Sequence, residues 1–373
     1  MKIAVHHRCP EATSYRAARV KSLFNVDSGA TFDLNAELPI EQLDWKVGLV
    51  IGPSGSGKSS IGRRIFGEAA FYEPSWPQRR PIIDAIAPKA SFDDVTAALA
   101  AVGLGSVPTW LRPYGVLSTG ERFRADLARI VADRPPRVVV DEFTSVVDRQ
   151  IAKVGALAFG KAWKRGTGQA VLLSCHYDIV DWLQPDWIYD TSTGAFSGRG
   201  LRRRPPIELD IFETDWRFWP LFEPHHYLKL PKMIAATNYV AFVDDQPVAH
   251  VGVGTRPGMT EARACRLVVM PEWQGAGVGM RFLNAVCERW LTGQNRHRLS
   301  VPTLFHTSHP GLASALRRDP HWAQVSAMLY GTHKERSGKS IELAARRRGS
   351  TPVVAGYGGH FRAVQGFRYY GAP

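Results

Sequence analysis

Short, almost wholly apolar segments alternate with helix-forming segments through the first 200 residues. The apolar segments read VGLVI at 47–51, VVVDEF at 138–143 and AVLLSC at 170–175. Apolar runs of this length are typical of strands buried on both faces, and their alternation with helices is typical of crossover connections. The pattern predicts an α/β domain with a largely parallel sheet.

The pattern changes in the second half of the chain. NYVAFV at 238–243 and VAHVGVG at 248–254 flank a DDQP turn and predict a hairpin, and CRLVVM at 265–270 predicts a third strand. A helical aromatic stretch, WRFWPLFEPHHYL, precedes them. Apolar residues at helical spacing, ended by a glycine, predict a helix after the third strand: Met280, Leu283, Cys287, Trp290 and Gly293. These elements predict an α+β domain with a mixed, twisted sheet.

The segment GAFSGRGLRRRPP at 194–206 is rich in Gly, Arg and Pro, which are typical of linkers. We therefore predict a first domain at 1–200, an Arg/Pro linker at 201–206 and a second domain at 207–373. A chain of 373 residues with 45% hydrophobic residues can bury two cores of this size.

The net charge of +13 is distributed unevenly along the chain. Residues 251–373 carry 17 basic and 6 acidic side chains, a net of +11, whereas residues 1–200 carry 24 and 21. A positive field attracts polyanions, so DNA, RNA, an acidic protein and a polyphosphate cofactor are candidate partners. A basic surface without such a partner is the alternative.

The sequence also predicts a compartment. No run of about 18 uncharged apolar residues occurs, so we expect no membrane span. The first residues, MKIAVHHRCP, lack the apolar core of a signal peptide. The four cysteines are scattered without a CxxC pair. A reduced, cytoplasmic protein without disulfides or structural zinc is the expectation.

A complete phosphate-binding pattern, G-x-x-x-x-G-K-[ST], follows the first apolar strand and precedes a helix, which is the context this pattern requires. Glycines let successive N–H groups point inward, and the helix start adds partial positive charge. Lys58 is expected to reach the β- and γ-phosphates, and Ser59 to supply an oxygen to Mg²⁺. The residues predicted to surround the phosphates are Gly52, Pro53, Ser54, Gly55, Ser56, Gly57, Lys58, Ser59 and Ser60.

Two adjacent carboxylates end the second apolar strand. Asp141 is suited to the Mg²⁺ shell, and Glu142 to orienting or deprotonating the attacking water. A charged strand end without chemistry is the alternative, but the phosphate loop upstream argues against it.

The stretch LSTGERFRADLARIVADRPPRVVVDE at 117–142 resembles the signature segment of ABC-type ATPases. Thr119 replaces the usual glycine and Glu121 the common glutamine, while Ser118 and Gly120 match the family. Further along, SVVD resembles the D-loop and SCHYD the switch region. The resemblance, which covers roughly residues 1–200, implies ATP-binding roles for the following residues: Gln78, Ser118, Gly120, Asp141 and Asp148. It implies catalytic roles for Lys58, Glu142 and His176, and Mg²⁺ contacts for Ser59, Asp141 and Gln78.

The family resemblance also implies an ATP-dependent homodimer. Because one ABC unit is present, Ser118 of one chain would face Lys58 of a second chain. The interval between these two residues is short for an ABC ATPase, and no membrane span is expected, so a transport role is disfavoured.

A second glycine-rich loop, PEWQGAGVGM at 271–280, follows the strand CRLVVM. It fits Q/R-x-x-G-x-G/A, the acyl-CoA loop of the GNAT family of acetyltransferases, which residues 207–373 resemble. The resemblance implies that the loop N–H groups hold the pyrophosphate of acetyl-CoA and that the strand edge pairs with its pantetheine arm. The implied contacts are Leu267, Val268, Val269, Gln274, Gly275, Ala276, Gly277, Val278, Gly279 and Met280. A Rossmann dinucleotide loop and a glycine-rich turn without a ligand are the alternatives.

Acyl transfer needs a base, an acid and an oxyanion donor. A backbone N–H near Val269 is the expected donor. The candidate bases are Glu272, His306 and His309, and the candidate acids are Tyr330, Tyr369 and Tyr370; Arg362 and Arg368 could face the substrate.

The sequence is compatible with three functions. The first is a bifunctional protein that hydrolyses ATP and acetylates an amine acceptor, on nucleic acid if the basic charge selects it. The second is an acetyltransferase for small molecules or proteins with a regulatory ATPase. The third is a non-transport ABC ATPase whose GNAT domain senses acyl-CoA.

Overall fold

The computed structural model describes residues 1–24, 31–198, 200, 203–227, 233, 236–255, 260–328 and 364–371. These residues form two compact units. One contains Met1–Pro77 and Ser118–Pro205, and the other contains Gln78–Leu117 and Pro206–Pro373. We call them the ATP unit and the acyl unit, after the loops each one contains, and we call residues 78–117 the insert.

The helices in chain order are α1 (Tyr15–Phe24), α2 (Lys58–Phe66), α3 (Ile82–Ala85), α4 (Phe92–Ala101), α5 (Val107–Trp110), α6 (Thr119–Asp133), α7 (Arg149–Trp163), α8 (Val180–Leu183), α9 (Trp219–Phe222), α10 (Val278–Leu291) and α11 (Pro310–Arg318). The strands are β1 (Lys2–Arg8), β2 (Thr31–Glu37), β3 (Val47–Ile51), β4 (Arg137–Val140), β5 (Gln169–Ser174), β6 (Trp187–Asp190), β7 (Ala195–Ser197), β8 (Asp210–Thr214), β9 (Ala236–Val243), β10 (Gln246–Thr255), β11 (Ala262–Val269), β12 (Thr303–Thr307), β13 (Trp322–Met328) and β14 (Val364–Tyr369).

The main sheet of the ATP unit has the strand order β4-β5-β3-β6-β7. The first four strands run parallel, and β7 is antiparallel to β6. The sequence prediction of a largely parallel sheet is confirmed, and the three apolar segments form β4, β5 and β3. A separate antiparallel pair, β1 and β2, packs on this sheet through a shared core that includes Val5, Leu38, Val50 and Ile61.

One buried carboxylate fastens the start of the central strand. Asp186 accepts hydrogen bonds from the N–H groups of Lys46 and Val47 and from Nζ of Lys164, each 2.9 Å long. Burial alone would raise the pKa of Asp186, but these hydrogen bonds outweigh it and lower the pKa below the ordinary value. The charged carboxylate thus helps to position the strand that leads into the phosphate loop.

The acyl unit contains a mixed sheet with the order β13-β14-β12-β11-β10-β9-β8, in which β11 and β12 run parallel. The predicted hairpin is confirmed as β9 and β10. Its loop is shorter than the predicted DDQP turn: Asp244 and Asp245 have φ values of 47° and 62°, as a tight hairpin loop requires, and Gln246 already begins β10.

The predicted helix after the second glycine-rich loop is confirmed as α10. The residues it buries include Phe282, Leu283, Val286 and Trp290, spaced along one helical face, and it ends before Gly293, where φ is 76°. Among the described residues, no helix combines the length and the apolar composition needed to cross a bilayer.

Candidate functional site

The phosphate loop lies between β3 and α2, and its glycines adopt conformations that other residues avoid. Gly52, Gly55 and Gly57 have φ values of 149°, 77° and 89°. A Cβ on Gly57 would come within 2.8 Å of Cδ2 of Leu34, a side chain of β2. Both the backbone conformation and the close approach of β2 therefore favour glycine at this position.

Lys58 is the first residue of α2, and its side chain is 6% exposed. Its ammonium group donates to the carbonyl oxygens of Gly52 and Pro53, at 3.0 and 2.7 Å. The ammonium group therefore lies over the loop, bound to neutral carbonyl oxygens. A triphosphate in the loop would offer the same ammonium group charged oxygen acceptors.

The serines of the loop have different surroundings. Ser56 shares a 2.5 Å hydrogen bond with Thr191, and Ser60 shares one of 2.8 Å with Nε2 of His7. Ser59 lies in the first turn of α2, directly after Lys58. The hydroxyl of Ser59 and the carboxylate of Asp141 are hard oxygen donors, which is the ligand chemistry that Mg²⁺ prefers.

The predicted carboxylates follow the end of β4. The strand is shorter than the predicted segment 138–143, because the chain leaves the extended conformation at once: Glu142 has φ 49° and Thr144 has φ 70°. The carboxylate of Asp141 accepts from the N–H of Glu142 at 2.9 Å, and Ser145 donates its hydroxyl to Glu142 at 2.5 Å. Two acidic groups are thus fixed in a tight turn at the carboxyl end of a parallel strand.

His176 follows β5, the strand next to β4. Its ring nitrogen Nδ1 lies 3.5 Å from the hydroxyl of Thr144, and its backbone N–H donates to the hydroxyl of Ser174. Partial burial and the neighbouring Arg149 lower its pKa, against the opposite influence of Asp178 and Glu142. Because β4, β5 and β3 are neighbours, the sheet gathers the acidic turn, His176 and the phosphate loop at one edge.

The signature segment begins α6. Ser118 is the N-cap of this helix and forms a capping box with Glu121: the N–H of Ser118 donates to the Glu121 carboxylate at 2.9 Å, and the N–H of Glu121 donates back to the Ser118 hydroxyl at 3.4 Å. The glutamate that departs from the family pattern therefore caps the helix. A Cβ on Gly120 would lie 2.9 Å from Ile151 of α7, so glycine lets the two helices approach closely.

Two further residues are predicted ATP contacts, Asp148 and Gln78. Asp148 is the N-cap of α7, where its carboxylate accepts from the N–H of Gln150 at 2.8 Å. Gln78 is exposed and belongs to the acyl unit, so its place beside the phosphate loop stays a prediction.

The second glycine-rich loop connects β11 to α10. Gly275 and Gly277 have φ values of 92° and 83°, and a Cβ on Gly277 would meet no atom of the described residues within 4 Å. Since α10 begins at Val278, the first N–H groups of that helix have no acceptor within the helix. A helix N-terminus preceded by a glycine with free space around it is a suitable binding position for a pyrophosphate group.

Strand β11 has the edge that a pantetheine arm would need. It pairs with β12 only from Ala262 to Ala264, while its pairing with β10 extends to Val269. A register shift on the β10 side coincides with Arg266, which has φ 58°. Leu267, Val268 and Val269 therefore lie beyond the paired part of the β11–β12 edge.

The acid and base candidates fare differently. His309 is the N-cap of α11: its Nδ1 accepts from the N–H of Leu312, and its Nε2 bonds to the carbonyl of Gly105 at 3.0 Å. Both ring nitrogens are thus engaged in hydrogen bonds, which argues against a base role for His309, and the assignment of the base stays a prediction. Tyr369 is buried and donates to Glu288 at 2.9 Å, which together with burial raises its pKa and opposes an acid role.

The remaining candidates keep their status as predictions. Glu272 and His306 are half-buried and Tyr370 is exposed. Arg368 lies 3.2 Å from the carboxylate of Glu261. Tyr330 and Arg362 lie outside the described residues.

Sequence reasoning missed a buried histidine. His250 is fully buried on β10 among the rings of Trp216, Trp219 and Phe222. Among the described residues, neither of its ring nitrogens has a hydrogen-bond partner. Burial, followed by the charge of Arg266, lowers its pKa to about 4. Its single signal in the sequence was a polar residue inside an apolar strand, which does not reveal its surroundings.

Known proteins of two families are similar to this chain. The model of the acetyltransferase (GNAT) family matches residues 208–310. A cytochrome c biogenesis ATP-binding export protein, CcmA, from Rhodospirillum rubrum is 31% identical over 162 residues, which cover 35% of this chain and 69% of that protein. The CcmA of Paramagnetospirillum magneticum is 30% identical over 167 residues, which cover 35% of this chain and 75% of that protein.

Among solved structures, a bacterial Atm1-family ABC exporter with ATP bound is 19% identical, with a TM-score of 0.32. The match covers 44% of this chain and 34% of the exporter, so the chain spans about a third of its length. Likeness to the CcmA proteins implies ATP with Mg²⁺ as cofactors, and the match to the GNAT family model implies an acyl-CoA. The chain therefore belongs to the ABC-type ATPases over its N-terminal part and carries a GNAT-family acetyltransferase domain in its C-terminal part.

Proposed function

We propose that this protein hydrolyses ATP and transfers the acetyl group of acetyl-CoA to an amine acceptor, as a cytoplasmic enzyme with an ATP-binding domain at 1–200, a linker at 201–206 and an acetyltransferase domain at 207–373. The observation that carries the proposal is the pair of helix starts, α2 and α10, each of which directly follows an N-cap glycine with a φ above 80°. Each helix start offers N–H groups to one polyphosphate.

In the ATP-binding domain, Lys58 neutralises the β- and γ-phosphates, and Ser59 with Asp141 holds the Mg²⁺. Glu142 orients the attacking water and takes up its proton, and His176 contacts the γ-phosphate. The hydroxyl of Ser145, 2.5 Å from Glu142, fixes the orientation of that carboxylate.

The ATP-bound form is a homodimer in this proposal. The N-cap Ser118 is exposed at the start of α6, where its hydroxyl and the helix dipole can face a γ-phosphate held by a second chain. Glu142→Gln slows hydrolysis and should therefore accumulate the dimer when ATP is added. Light scattering should give twice the monomer mass with ATP and the monomer mass without it; a monomer under both conditions contradicts the dimer.

In the acetyltransferase domain, the N–H groups from 275 to 280 hold the pyrophosphate, and the open edge of β11 near Val269 takes the pantetheine arm. Gly277→Glu places a carboxylate in the open space over the loop and should abolish acetyl-CoA binding in calorimetry. Gly67→Glu is a matched control, because Gly67 also has a positive φ of 81° and no atom within 4 Å of the added Cβ. If Gly277→Glu binds acetyl-CoA with unchanged affinity, the loop does not hold the cofactor.

For the acceptor, the net charge of +11 in residues 251–373 favours an amine carried by nucleic acid. Binding to duplex DNA should then weaken with salt, with a slope of log K against log salt of about −0.9 per phosphate contact. A slope near zero rejects this acceptor and favours a small-molecule or protein amine.

A further inference from the structure

The insert packs against the second glycine-rich loop, residues 271–280, which we call the acyl-CoA loop. Both segments belong to the acyl unit. The insert contains α3, α4 and α5, and it has its own internal hydrogen bonds: the N–H of Ile82 donates to the carbonyl of Arg112 at 3.0 Å, and the indole of Trp110 donates to the carbonyl of Leu104 at 2.7 Å. Along the chain it separates the phosphate loop from the signature, since Leu117 is followed directly by Ser118.

Gln274, the first residue of the acyl-CoA loop pattern, joins the insert to β11. Its carbonyl Oε1 accepts from the N–H of Gly105 at 3.1 Å, and its amide Nε2 donates to the carbonyl of Val269 at 3.0 Å. One side chain therefore connects the insert to the last residue of the strand whose edge is assigned to the pantetheine arm. It precedes Gly275, where the loop begins to turn.

His309 binds the other backbone group of the same residue, the carbonyl of Gly105. Because Nδ1 accepts from the N–H of Leu312, Nε2 carries the hydrogen and donates to the carbonyl of Gly105 at 3.0 Å. Burial lowers the pKa of His309, which keeps the ring neutral and preserves this tautomer. The ring also meets Trp110 edge-on, with centroids 5.4 Å apart. Both backbone groups of Gly105 are thus bound, the N–H by Gln274 of the acyl-CoA loop and the carbonyl by His309 at the start of α11.

The contact is close enough to demand glycines. A Cβ on Gly103 would lie 2.1 Å from the carbonyl oxygen of Gln274, and one on Gly311 would lie 2.4 Å from Cβ of Ala100 in α4. A surface packed this tightly has few alternative arrangements, so a shift of the insert has to be accompanied by a shift of the loop.

We infer that Gln274 and His309 are positioning residues that make the acyl-CoA loop sensitive to the insert, and thereby link acyl-CoA binding to nucleotide binding. The inference rests on the proposed function. ATP engagement of the signature acts on Ser118, which is covalently joined to the insert, and the insert holds the loop through Gly105. Any such linkage is reciprocal: acetyl-CoA must change the nucleotide Kd by the same factor by which nucleotide changes the acetyl-CoA Kd.

The test compares the acetyl-CoA Kd with and without the non-hydrolysable nucleotide AMP-PNP and Mg²⁺, in wild-type protein and two alanine variants. Gly105→Ala places a Cβ 2.9 Å from Oε1 of Gln274, whereas Gly115→Ala adds a Cβ in open space on the same insert. We expect nucleotide to change the wild-type Kd by about fivefold or more. Gly115→Ala should keep this factor, and Gly105→Ala should reduce it to less than about twofold while still binding both ligands.

His309→Asn serves as the second variant, because asparagine can still cap α11 but is too short to reach Gly105. It should reduce the nucleotide effect as Gly105→Ala does, a change that a purely structural contact would not cause. Equal acetyl-CoA Kd values with and without nucleotide in the wild type, when both ligands bind, overturn the linkage and leave the proposed function intact. A full nucleotide effect in both contact variants also overturns it. Absence of acetyl-CoA binding in the wild type overturns the proposed function itself.

Discussion

In both glycine-rich loops a glycine with a positive φ directly precedes a helix, but the surroundings of that glycine differ between the two loops. Gly57 and Gly277 both precede a helix, with φ values of 89° and 83°. Behind Gly57 stands the buried Lys58, whose ammonium group covers the loop, and β2 packs against the glycine. Gly277 faces open space, and the loop around it is held from the insert side through Gln274.

This difference reflects the ligands proposed for the two loops. When a triphosphate is hydrolysed, negative charge on the β- and γ-phosphates has to be neutralised, and a lysine in the loop supplies the positive charge. A cofactor pyrophosphate takes no part in acyl transfer, and backbone N–H groups suffice to hold it. The second loop can therefore use its leading side chain for a contact that fixes the loop, and that contact connects it to another part of the chain.

The largest effect is expected from removing the cation of the first loop. Lys58→Met keeps an unbranched buried side chain but loses the charge, and should weaken ATP binding by about a hundredfold or more, since charged hydrogen bonds contribute the most. Calorimetry with ATP and Mg²⁺ measures this. Acetyl-CoA binding without nucleotide should change by less than about twofold, and the exposed Lys89→Met should leave ATP binding unchanged. Comparable loss of both ligands would mean that the two loops are not separate sites.

The sequence predicted the ATP-binding half well because its chemistry lies in contiguous motifs. The phosphate loop, the acidic strand end and the signature each contain their own strand, turn or helix start, and the parallel sheet brings the first two to one edge. Even the unusual Glu121 could be understood locally, because Ser-x-x-Glu is a capping box.

The acyl half was predicted less completely, because its decisive contacts are not local. The hydrogen bond between Gly105 and Gln274 joins residues 169 positions apart, and no periodicity or motif encodes it. The hydrogen bonds that occupy both ring nitrogens of His309 and argue against a base role are likewise set by the fold and cannot be seen in the local sequence. The buried His250 was missed for the same reason.

Lowering the pH should reduce the free energy of unfolding of the acyl unit by a few kcal/mol, through His250, before it affects the contribution of Asp186 to the ATP unit. The buried His250 has a folded-state pKa of about 4, below the ordinary value of 6.5, so the unfolded chain binds its proton first as the pH falls. The stability that the neutral His250 contributes is therefore fully present above pH 6.5 and is lost as the pH falls towards 4. The loss at pH 5 is about 2 kcal/mol, at roughly 1.4 kcal/mol per pH unit. Asp186 in the ATP unit also has a lowered pKa, but its contribution is lost only below its ordinary value of 3.8.

Hydrogen exchange measured by peptide at pH 7 and pH 5, corrected for the intrinsic rate, can follow both halves together. Protection of β9 and β10 should fall at pH 5, while the contribution of Asp186 to the protection of β3 is retained. His250→Phe keeps an aromatic ring among Trp216, Trp219 and Phe222 and removes the titration, so β9 and β10 should lose their pH dependence. A variant with the wild-type pH response would assign the effect to another group.

The smallest effect tests the two glycines directly, because alanine meets the same backbone conformation at both positions but different surroundings. A residue other than glycine in this conformation costs about 1 kcal/mol, so Gly277→Ala should destabilise the acyl unit by about that amount. Gly57→Ala pays the same cost and also displaces Leu34, 2.8 Å from the new Cβ, so it should cost about 2–3 kcal/mol in the ATP unit. Urea unfolding of each variant, read by hydrogen exchange in the affected unit, measures the difference. Equal losses would mean that β2 yields to the new methyl group without cost, and the tighter enclosure of the first loop would then have no energetic consequence.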